Sequence, residues 1–320
     1  MINFIKPKEI KPKQTFSVLI YGPTGIGKTT AAISAPAPVA LVDFDGGVNR
    51  VDARFLGSGT DEEVLTAQIE QWDGYLKMVE AMRNVPVNSI VIDTVGKMID
   101  MITTYVLTST DYPYHKKDLK KPTLQAYGDI KTEFVGFVRG IKNIGKNIIF
   151  VAQEVESIQK NRKGEDIRYH QPSAGSDKNR TEILQDLDLV GYMFKDENRT
   201  CITFDQTDSY YGKNTCKAPS TVEVKMLADD EKNILLTWIH GLYVKVQEQN
   251  QQRSEYVSQV NDLLAKVGAI TNAEQANDFV KFAKSVKWIA DAKVKVLNEF
   301  NEKAKELNLK NVKGVYEQAV

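Results

Sequence analysis

The sequence predicts an α/β protein in which a mostly parallel β-sheet is flanked by helices, with a small helical region at the C-terminal end. Two observations predict the sheet. Short β-rich apolar runs alternate with segments of helical periodicity up to residue 152, and strands that alternate with helices pair in parallel through right-handed crossovers. A third observation predicts the helical end, because apolar residues recur at helical spacing after residue 245.

The first half of the chain divides into strands and helices in turn. Residues 1–14 are polar and are predicted to form an extended arm. The predicted strands are 16–21, 38–43, 89–93 and 147–152. The predicted helices are 29–34, 61–84, 95–107 and 124–143, and the acidic residues 61–63 favour a helix start at 61.

Strands that turn back on themselves are predicted after residue 153. The predicted elements are a hairpin over 156–170 that turns at 163–164, a second hairpin that pairs 189–194 with 200–204, a strand over 221–226 and a helix over 230–242. Three amphipathic helices are predicted beyond residue 245, where the composition changes. The expected organisation is an arm (1–14), an α/β core (15–244) and a helical domain or appendage (245–320).

Composition and charge exclude several classes of protein. The 320 residues carry 42 basic and 42 acidic side chains, which excludes a globally basic nucleic-acid binder and leaves only local patches. Two cysteines exclude a disulfide scaffold and a cysteine-rich zinc site. No apolar run reaches the roughly 18 residues that a membrane helix needs. We therefore expect a cytoplasmic protein without membrane contact.

A glycine-rich turn lies between the first predicted strand and the first predicted helix. It matches G-x-x-x-x-G-K-[ST] at every fixed position. Glycines allow backbone N–H groups to point at phosphate oxygens, Lys28 is expected to reach the β- and γ-phosphates, and the Thr29 hydroxyl is expected to ligate Mg²⁺. The alternative is a glycine turn without a ligand. The predicted nucleotide-binding residues are Gly22, Pro23, Thr24, Gly25, Ile26, Gly27, Lys28, Thr29 and Thr30.

Carboxylates follow two of the predicted strands. Asp93 ends a buried strand, where a carboxylate is costly unless it serves a cation or a hydrogen-bond network. Beside a phosphate-binding loop its expected role is at Mg²⁺ with Thr29; the alternative is a cap for the helix that follows. Asp43 and Asp45 end the strand between the loop and Asp93. We predict that Asp45 activates the attacking water and that Asp43 supports it, the alternative being two turn aspartates.

Gln153 directly follows the fourth predicted strand. Its amide is expected to hydrogen-bond the γ-phosphate and to respond to its loss on hydrolysis. The alternative is a lone polar residue at a strand end.

Together these residues resemble those of the RecA-like ATPases over about residues 15–242. More closely, the chain looks like phage nucleotide-binding proteins of the Sak type, which have a RecA-like core and act in single-strand annealing and recombination. The strand ends at Asp45, Asp93 and Gln153 resemble the family's catalytic acid, its Walker B strand and the glutamine that couples ATP to a DNA-binding loop. The resemblance implies a RecA-like fold, ATP and Mg²⁺ as cofactors, DNA-stimulated ATP hydrolysis and a location in the cytoplasm of a bacterial host.

The stretch Lys213-Asn-Thr-Cys-Lys217-Ala-Pro resembles a segment of RecA whose two lysines reach into the ATP site of the neighbouring subunit. Lys213 matches the first lysine. Thr215 stands at the second position, so the second lysine of the RecA segment is missing unless Lys217 replaces it. The resemblance implies a catalytic role for Lys213 across a subunit boundary and a homo-oligomer, as a filament or ring. The alternative is an exposed turn lysine.

Two basic segments that contain aromatic residues are candidate DNA-binding loops. Basic side chains bind the phosphate groups of a nucleic acid, and tyrosines stack on its bases. Such a segment therefore binds single strands with little sequence preference. The alternative is a pair of solvated charged loops. The candidate residues are Lys116, Lys117, Lys120 and Lys121 in the first segment and Lys160, Arg162, Lys163 and Arg168 in the second.

The resulting expectation is an ATPase that couples nucleotide state to single-stranded DNA binding in phage recombination or annealing. A single-strand binding protein is a further expected partner. Two alternatives stay open: a nucleotide-gated scaffold that does not bind DNA, and a P-loop kinase of a small molecule, against which the extra strand before Asp93 argues. His115, His170 and His240 are expected to hold no metal, because no carboxylate or cysteine pattern accompanies them.

Overall fold

The computed structural model describes residues 4–6, 9–57, 63–115, 121–160, 163–225, 227 and 231–318. The chain divides into two compact units, residues 14–244, and residues 1–13 together with 245–320.

The first unit is built around one large sheet. Its strands are β1 (Ser17–Gly22), β2 (Val39–Asp43), β3 (Leu65–Gln68), β4 (Ser89–Asp93), β5 (Asn147–Lys160), β6 (Asp166–Pro172), β7 (Leu189–Asp196), β8 (Arg199–Thr203), β9 (Lys213–Asn214) and β10 (Thr221–Glu223). Its helices are α1 (Lys28–Ala32), α2 (Tyr75–Asn84), α3 (Val95–Thr108), α4 (Leu124–Lys142), α5 (Asp177–Gln185) and the start of α6 (Leu235–Gly268).

The strands lie in the order β10-β8-β7-β1-β5-β4-β2-β3, with β6 paired to β5 and β9 to β7. All pairs from β7–β1 across to β2–β3 are parallel, whereas β6, β8, β9 and β10 pair antiparallel. The predicted α/β class, a mostly parallel sheet flanked by helices, is confirmed. Because parallel strands run in one direction, the ends of β1, β2 and β4 meet at one edge, and β5 passes this edge into its hairpin with β6.

Both faces of the sheet are buried, which explains why its strands read as continuous apolar runs. Alternate residues of the first strand enter two separate cores. Leu19 and Tyr21 pack into one core with residues of α2, α3 and α4, and Val18 and Ile20 pack into the other with residues of α1 and α6.

The second unit contains the end of α6, the helices α7 (Ala273–Ser285) and α8 (Ala292–Glu306), and a hairpin of β11 (Leu309–Val312) and β12 (Val315–Gln318). Its core includes Phe279 and Phe300, whose rings stack with centroids 5.1 Å apart. No helix in the described parts of the chain is long and apolar enough to span a membrane.

Two segments differ from their predicted structures. The predicted helix over 61–84 is wrong for its first part, because Leu65–Gln68 forms β3 at the sheet edge and the helix begins only at Tyr75, after Gly74 with φ 83°. The composition change near residue 245 does not interrupt α6, because glutamine, glutamate and lysine are good helix formers and the segment has no proline. Neither α5 nor the β11–β12 hairpin was predicted.

Candidate functional site

A pocket of about 430 Å³ opens at the edge where the parallel strands end. It brings together residues of the glycine-rich loop with residues that follow β2, residues at the end of β4 and residues within β5. Its lining residues are Thr24, Gly25, Gly27, Lys28, Thr29, Thr30, Asp45, Gly47, Arg50, Val51, Asp93, Thr94, Val151 and Gln153. Asp45, Asp93 and Gln153, predicted from three separate strand ends, therefore share one cavity with the loop.

The conformation of the loop requires its glycines. Gly25 and Gly27 have φ values of 78° and 95°, in the left-handed region that glycine enters without strain. A Cβ on Gly22 would lie 2.3 Å from the backbone oxygen of Met193, so any side chain there would collide with β7. Of the remaining predicted loop residues, Pro23 contributes its carbonyl to a hydrogen bond with Lys28, and Ile26 packs against one of the two sheet cores.

Lys28 is buried within the loop. Its Nζ atom donates hydrogen bonds to the carbonyl oxygens of Gly22 and Pro23, at 2.9 and 2.7 Å. Burial lowers the pKa of Lys28, and the negative charges of Asp93, Glu154 and Asp45 act in the opposite direction. The ammonium group thus bonds to neutral carbonyls and can exchange them for the oxygens of an anion.

Thr29 and Asp93 meet at the floor of the pocket. The Thr29 hydroxyl donates a hydrogen bond of 2.6 Å to Oδ2 of Asp93. The pKa of Asp93 is raised to about 6, mainly by burial and in smaller part by the carboxylates of Asp43 and Asp45, while the Thr29 hydrogen bond and Lys28 act in the opposite direction. A hydroxyl beside a buried carboxylate with excess negative charge suits a hard cation, so these residues fit Mg²⁺.

The two aspartates at the end of β2 differ in their surroundings. The buried carboxylate of Asp43 accepts hydrogen bonds from the backbone N–H groups of Asp45, Gly47 and Val48, at 3.0 to 3.1 Å, and so holds the loop after β2 in shape. Asp45 lines the pocket and forms an ion pair of 3.1 Å with Arg50. Asp45, and not Asp43, therefore presents its carboxylate to a bound ligand.

Gln153 lies beside the glycine-rich loop. It is the register partner of Gly22 in the β1–β5 pair, and its Oε1 accepts a hydrogen bond of 2.8 Å from the Thr24 hydroxyl. The amide therefore contacts the loop directly, from the strand that continues into the β5–β6 hairpin.

Lys213 does not line the pocket. Its Nζ donates hydrogen bonds to the carbonyl oxygens of Gln185, at 2.9 Å, and Leu184, at 3.4 Å, at the end of α5. A role at a phosphate group would therefore have to be played in another subunit.

The candidate DNA-binding residues are only partly described. Lys116, Lys117, Lys120 and Arg162 lie outside the described residues, and Lys121 and Lys163 are exposed. Lys160 forms an ion pair of 2.9 Å with Asp166, and Arg168 lies 3.8 Å from Glu156.

Three features of this edge were missed from the sequence. Arg50 and Thr94 line the pocket, and a cation five residues after a predicted catalytic carboxylate could have been noticed. The negative charge of Glu154 acts on Lys28 and opposes the lowering of its pKa by burial. The expectation that His170 has no partnering carboxylate is wrong, because its Nδ1 lies 3.0 Å from Oε2 of Glu154. Strand pairing, which the sequence does not show directly, brings these two residues together.

Comparisons with known proteins assign the chain to a family. A protein family described as AAA domain matches residues 14–216. No curated protein matches the chain. Among solved structures, the chain is similar to a KaiC-like protein from the hyperthermophilic archaeon Pyrococcus horikoshii OT3, with 12% identity over 60% of this chain and 79% of that chain and a TM-score of 0.36. Because the family match spans more than half of the chain and contains the whole glycine-rich loop, the chain belongs to the AAA domain family and is a P-loop NTPase.

Proposed function

We propose that this protein is a Mg²⁺-dependent ATPase that couples its nucleotide state to single-stranded DNA binding, in phage recombination or annealing, and works as a homo-oligomer. One observation carries the ATPase proposal. A single pocket gathers the phosphate loop, the Thr29–Asp93 pair and Asp45 from the ends of three parallel strands, and Gln153 from within β5. These are the groups that nucleotide binding, cation binding, water activation and sensing of the γ-phosphate require.

Binding uses the loop and its lysine. A bound nucleotide would accept hydrogen bonds from the loop N–H groups, and Lys28 would exchange its bonds to the carbonyls of Gly22 and Pro23 for bonds to phosphate. Thr29 and Asp93 would hold Mg²⁺, directly or through water. When bound, Mg²⁺ neutralises the charge that develops on the phosphate oxygens.

Hydrolysis needs a group that orients water, and Asp45 supplies it. Its ion pair with Arg50 positions the carboxylate in the pocket, where it can accept a proton from water. Asp43 does not contact the water. It holds the loop that presents Asp45, through three backbone hydrogen bonds.

Coupling to DNA is proposed to pass through Gln153. The strand β5 runs without interruption from its buried part, Asn147 to Ala152, into the exposed hairpin that it forms with β6. A change in the bond between Gln153 and Thr24 is therefore transmitted along one strand. That hairpin carries Lys160, Lys163 and Arg168, the second candidate DNA-binding segment.

A second candidate function is a nucleotide-gated scaffold that does not bind DNA. It is favoured by the ion pairs of Lys160 with Asp166 and of Arg168 with Glu156, which reduce the positive charge of the hairpin. A small-molecule kinase has less support. The strand β5 lies between β1, which leads into the glycine-rich loop, and β4, which ends at Asp93, and β2 lies on the other side of β4.

The test is ATP turnover by the purified chain with and without single-stranded DNA, with Lys28→Ala as the inactive reference. The proposal expects phosphate release that needs Mg²⁺, disappears in the variant and rises with DNA. Turnover that DNA does not change, together with no salt-sensitive DNA binding, would favour the scaffold. Transfer of phosphate to an added small molecule in place of release to water would favour the kinase.

A further inference from the structure

Glu154, Glu156 and His170 form a cluster of potential metal ligands at the base of the β5–β6 hairpin. Glu156 and His170 are direct cross-strand partners, and Glu154 lies two residues earlier, on the same face of β5. One ligand atom from each of the three residues can be chosen so that all lie within 4.8 Å of one another. Within the described residues, no other group of histidine, cysteine and carboxylate side chains meets this condition.

Two of the three side chains, Glu154 and His170, are held in place before any ligand binds. The His170 ring stacks on Tyr192, with centroids 5.3 Å apart and an interplanar angle of 26°. The Tyr192 hydroxyl donates a hydrogen bond of 2.9 Å to Oε2 of Glu154. The backbone of His170 is fixed on both sides, because its N–H donates to the Ser209 carbonyl at 2.8 Å and its carbonyl accepts from the Tyr211 N–H at 3.0 Å.

This arrangement has the hydrogen-bond support that metal ligands need. Partners behind the ligands orient them, and removing such a partner commonly weakens metal binding about 10- to 100-fold. Tyr192 plays this part for Glu154 through its hydroxyl, and it orients the imidazole ring through stacking.

The charges of the cluster favour a dication. The cluster contains two carboxylates, and the cations near them are Lys28, whose charge interacts with Glu154, and Arg168, whose exposed guanidinium approaches Glu156 only to 3.8 Å. One imidazole nitrogen and two carboxylate oxygens are a donor set that suits Zn²⁺, Mn²⁺ and related transition metals, whereas Mg²⁺ prefers oxygen ligands alone.

We propose that Glu154, Glu156 and His170 bind a divalent transition metal, Zn²⁺ or Mn²⁺, at a site separate from the Thr29–Asp93 pair. Three protein ligands leave at least one coordination position open, as in zinc sites that also hold water or an anion. Glu154 directly follows Gln153, so the metal would tie β5 to β6 at the base of the hairpin, beside the nucleotide pocket. The competing interpretation is an ordinary ion pair between His170 and Glu154, which predicts no metal binding.

Calorimetric titration of the metal-depleted, nucleotide-free chain with Zn²⁺ and Mn²⁺ tests the proposal. We expect one equivalent to bind. His170→Gln and Glu156→Gln should each weaken binding at least about tenfold, and Tyr192→Phe should weaken it by about 10- to 100-fold without removing a ligand. His115→Gln is the matched control and should bind as the unchanged chain does, because its Nδ1 contacts only the Tyr112 carbonyl among the described residues.

A second measurement covers the case in which His170→Gln does not fold. In histidine-ring ¹⁵N spectra of the unchanged chain, Zn²⁺ should shift the signals of one of the three histidines, and Glu156→Gln, at a half-exposed position, should abolish that shift. Absence of saturable binding to the unchanged chain would overturn the proposal. Binding to a folded His170→Gln variant as tight as to the unchanged chain, or a zinc shift that persists in Glu156→Gln, would overturn it as well.

Discussion

The hydroxyl of Thr29 donates a 2.6 Å hydrogen bond to the carboxylate of Asp93, although the two residues are 64 positions apart in the chain. The strand before Thr29, β1, and the strand that ends at Asp93, β4, are not neighbours either, because β5 lies between them. The bond spans this gap from α1, which contains Thr29 and packs on β5. It places two oxygen atoms together on the pocket floor, where a cation would lie beside the phosphate groups of a nucleotide.

Asp93→Asn should change the stability of the ligand-free protein in a pH-dependent way. Burial raises the pKa of Asp93 from its ordinary value of 3.8 to about 6, so ionising it costs folding free energy. The contribution of Asp93 to stability is therefore full below about pH 4 and is lost as the pH rises through about 6. Asn avoids this cost, and we expect the variant to equal wild type near pH 4 and to exceed it by about 2–3 kcal/mol near pH 8.

Urea unfolding at steps of pH checks this difference. Nucleotide with Mg²⁺ should reverse the order of the two proteins at pH 8, because only wild type keeps the carboxylate. A stability difference that stays constant across the pH range would mean that Asp93 is not the titrating group.

Lys28→Ala should abolish nucleotide binding without unfolding the protein. Charge-assisted hydrogen bonds contribute about 1.5–3 kcal/mol each, so losing two to phosphate predicts binding weaker by at least about a hundredfold. Stability should change little, because the burial that disfavours the charged ammonium offsets the loss of its hydrogen bonds to the Gly22 and Pro23 carbonyls. Calorimetric ATP titration measures the effect, and Lys77→Ala, which removes an exposed lysine of α2, is the matched control. Equal ATP affinity in Lys28→Ala and wild type would contradict the loop assignment.

Asp45→Asn and Asp43→Asn should have different effects. Asp45→Asn should keep ATP affinity and lower turnover by about 10²- to 10⁴-fold, because the amide cannot accept a proton from water. Asp43→Asn should instead lose about 1–3 kcal/mol of stability, because an amide has one acceptor oxygen for three backbone N–H groups. Steady-state turnover and urea unfolding of both variants separate the effects. If only Asp43→Asn lost turnover while staying fully stable, the roles would be reversed.

The fold and most of the pocket could be predicted because they depend on local sequence. The apolar runs that end at Asp43, Asp93 and Ala152 mark buried parallel strands, whose ends must share one edge. The glycine-rich loop is a contiguous motif between a strand and a helix. Residues at strand ends and in such a loop come together at the same edge of the sheet whatever the details of packing.

Cross-strand register and edge pairing could not be predicted in this way. A symmetric turn at 163–164 would place His170 opposite Ser157, whereas the structure pairs it with Glu156. A register shift of one residue moves a side chain to the other face of the ribbon, so the carboxylate partner of His170 was missed. The edge strand at Leu65–Gln68 is exposed along its length and lacks the apolar pattern that identifies a buried strand.

Neutralising Lys116, Lys117, Lys120 and Lys121 together should weaken single-stranded DNA binding and reduce its salt dependence. Removing one lysine–phosphate interaction lowers the slope of log affinity against log salt by about 0.7 on single strands. Fluorescence anisotropy at several salt concentrations measures the slope. A matched control replaces four lysines of the second unit, Lys281, Lys293, Lys303 and Lys305, and changes the net charge equally. A slope that falls as much in the control as in the test variant would assign the effect to net charge alone.

Lys213→Ala should lower ATPase activity without much change in nucleotide affinity if this lysine acts in a neighbouring subunit. In its own chain, the ammonium bonds to the carbonyls of Leu184 and Gln185, so a purely structural role predicts lost stability instead.

Mixing the Lys28→Ala and Lys213→Ala proteins separates the two roles. Lys28→Ala lacks its own loop lysine but can donate Lys213, whereas Lys213→Ala keeps an intact loop that can receive it. A cation supplied by a neighbour stabilises charge at the transferred phosphate, so mixed assemblies should regain turnover that neither variant shows alone. Lys217→Ala, mixed in the same way, tests whether Lys217 replaces the missing second lysine. Assemblies shown by light scattering to be mixed that regain no activity would confine Lys213 to its contact with α5.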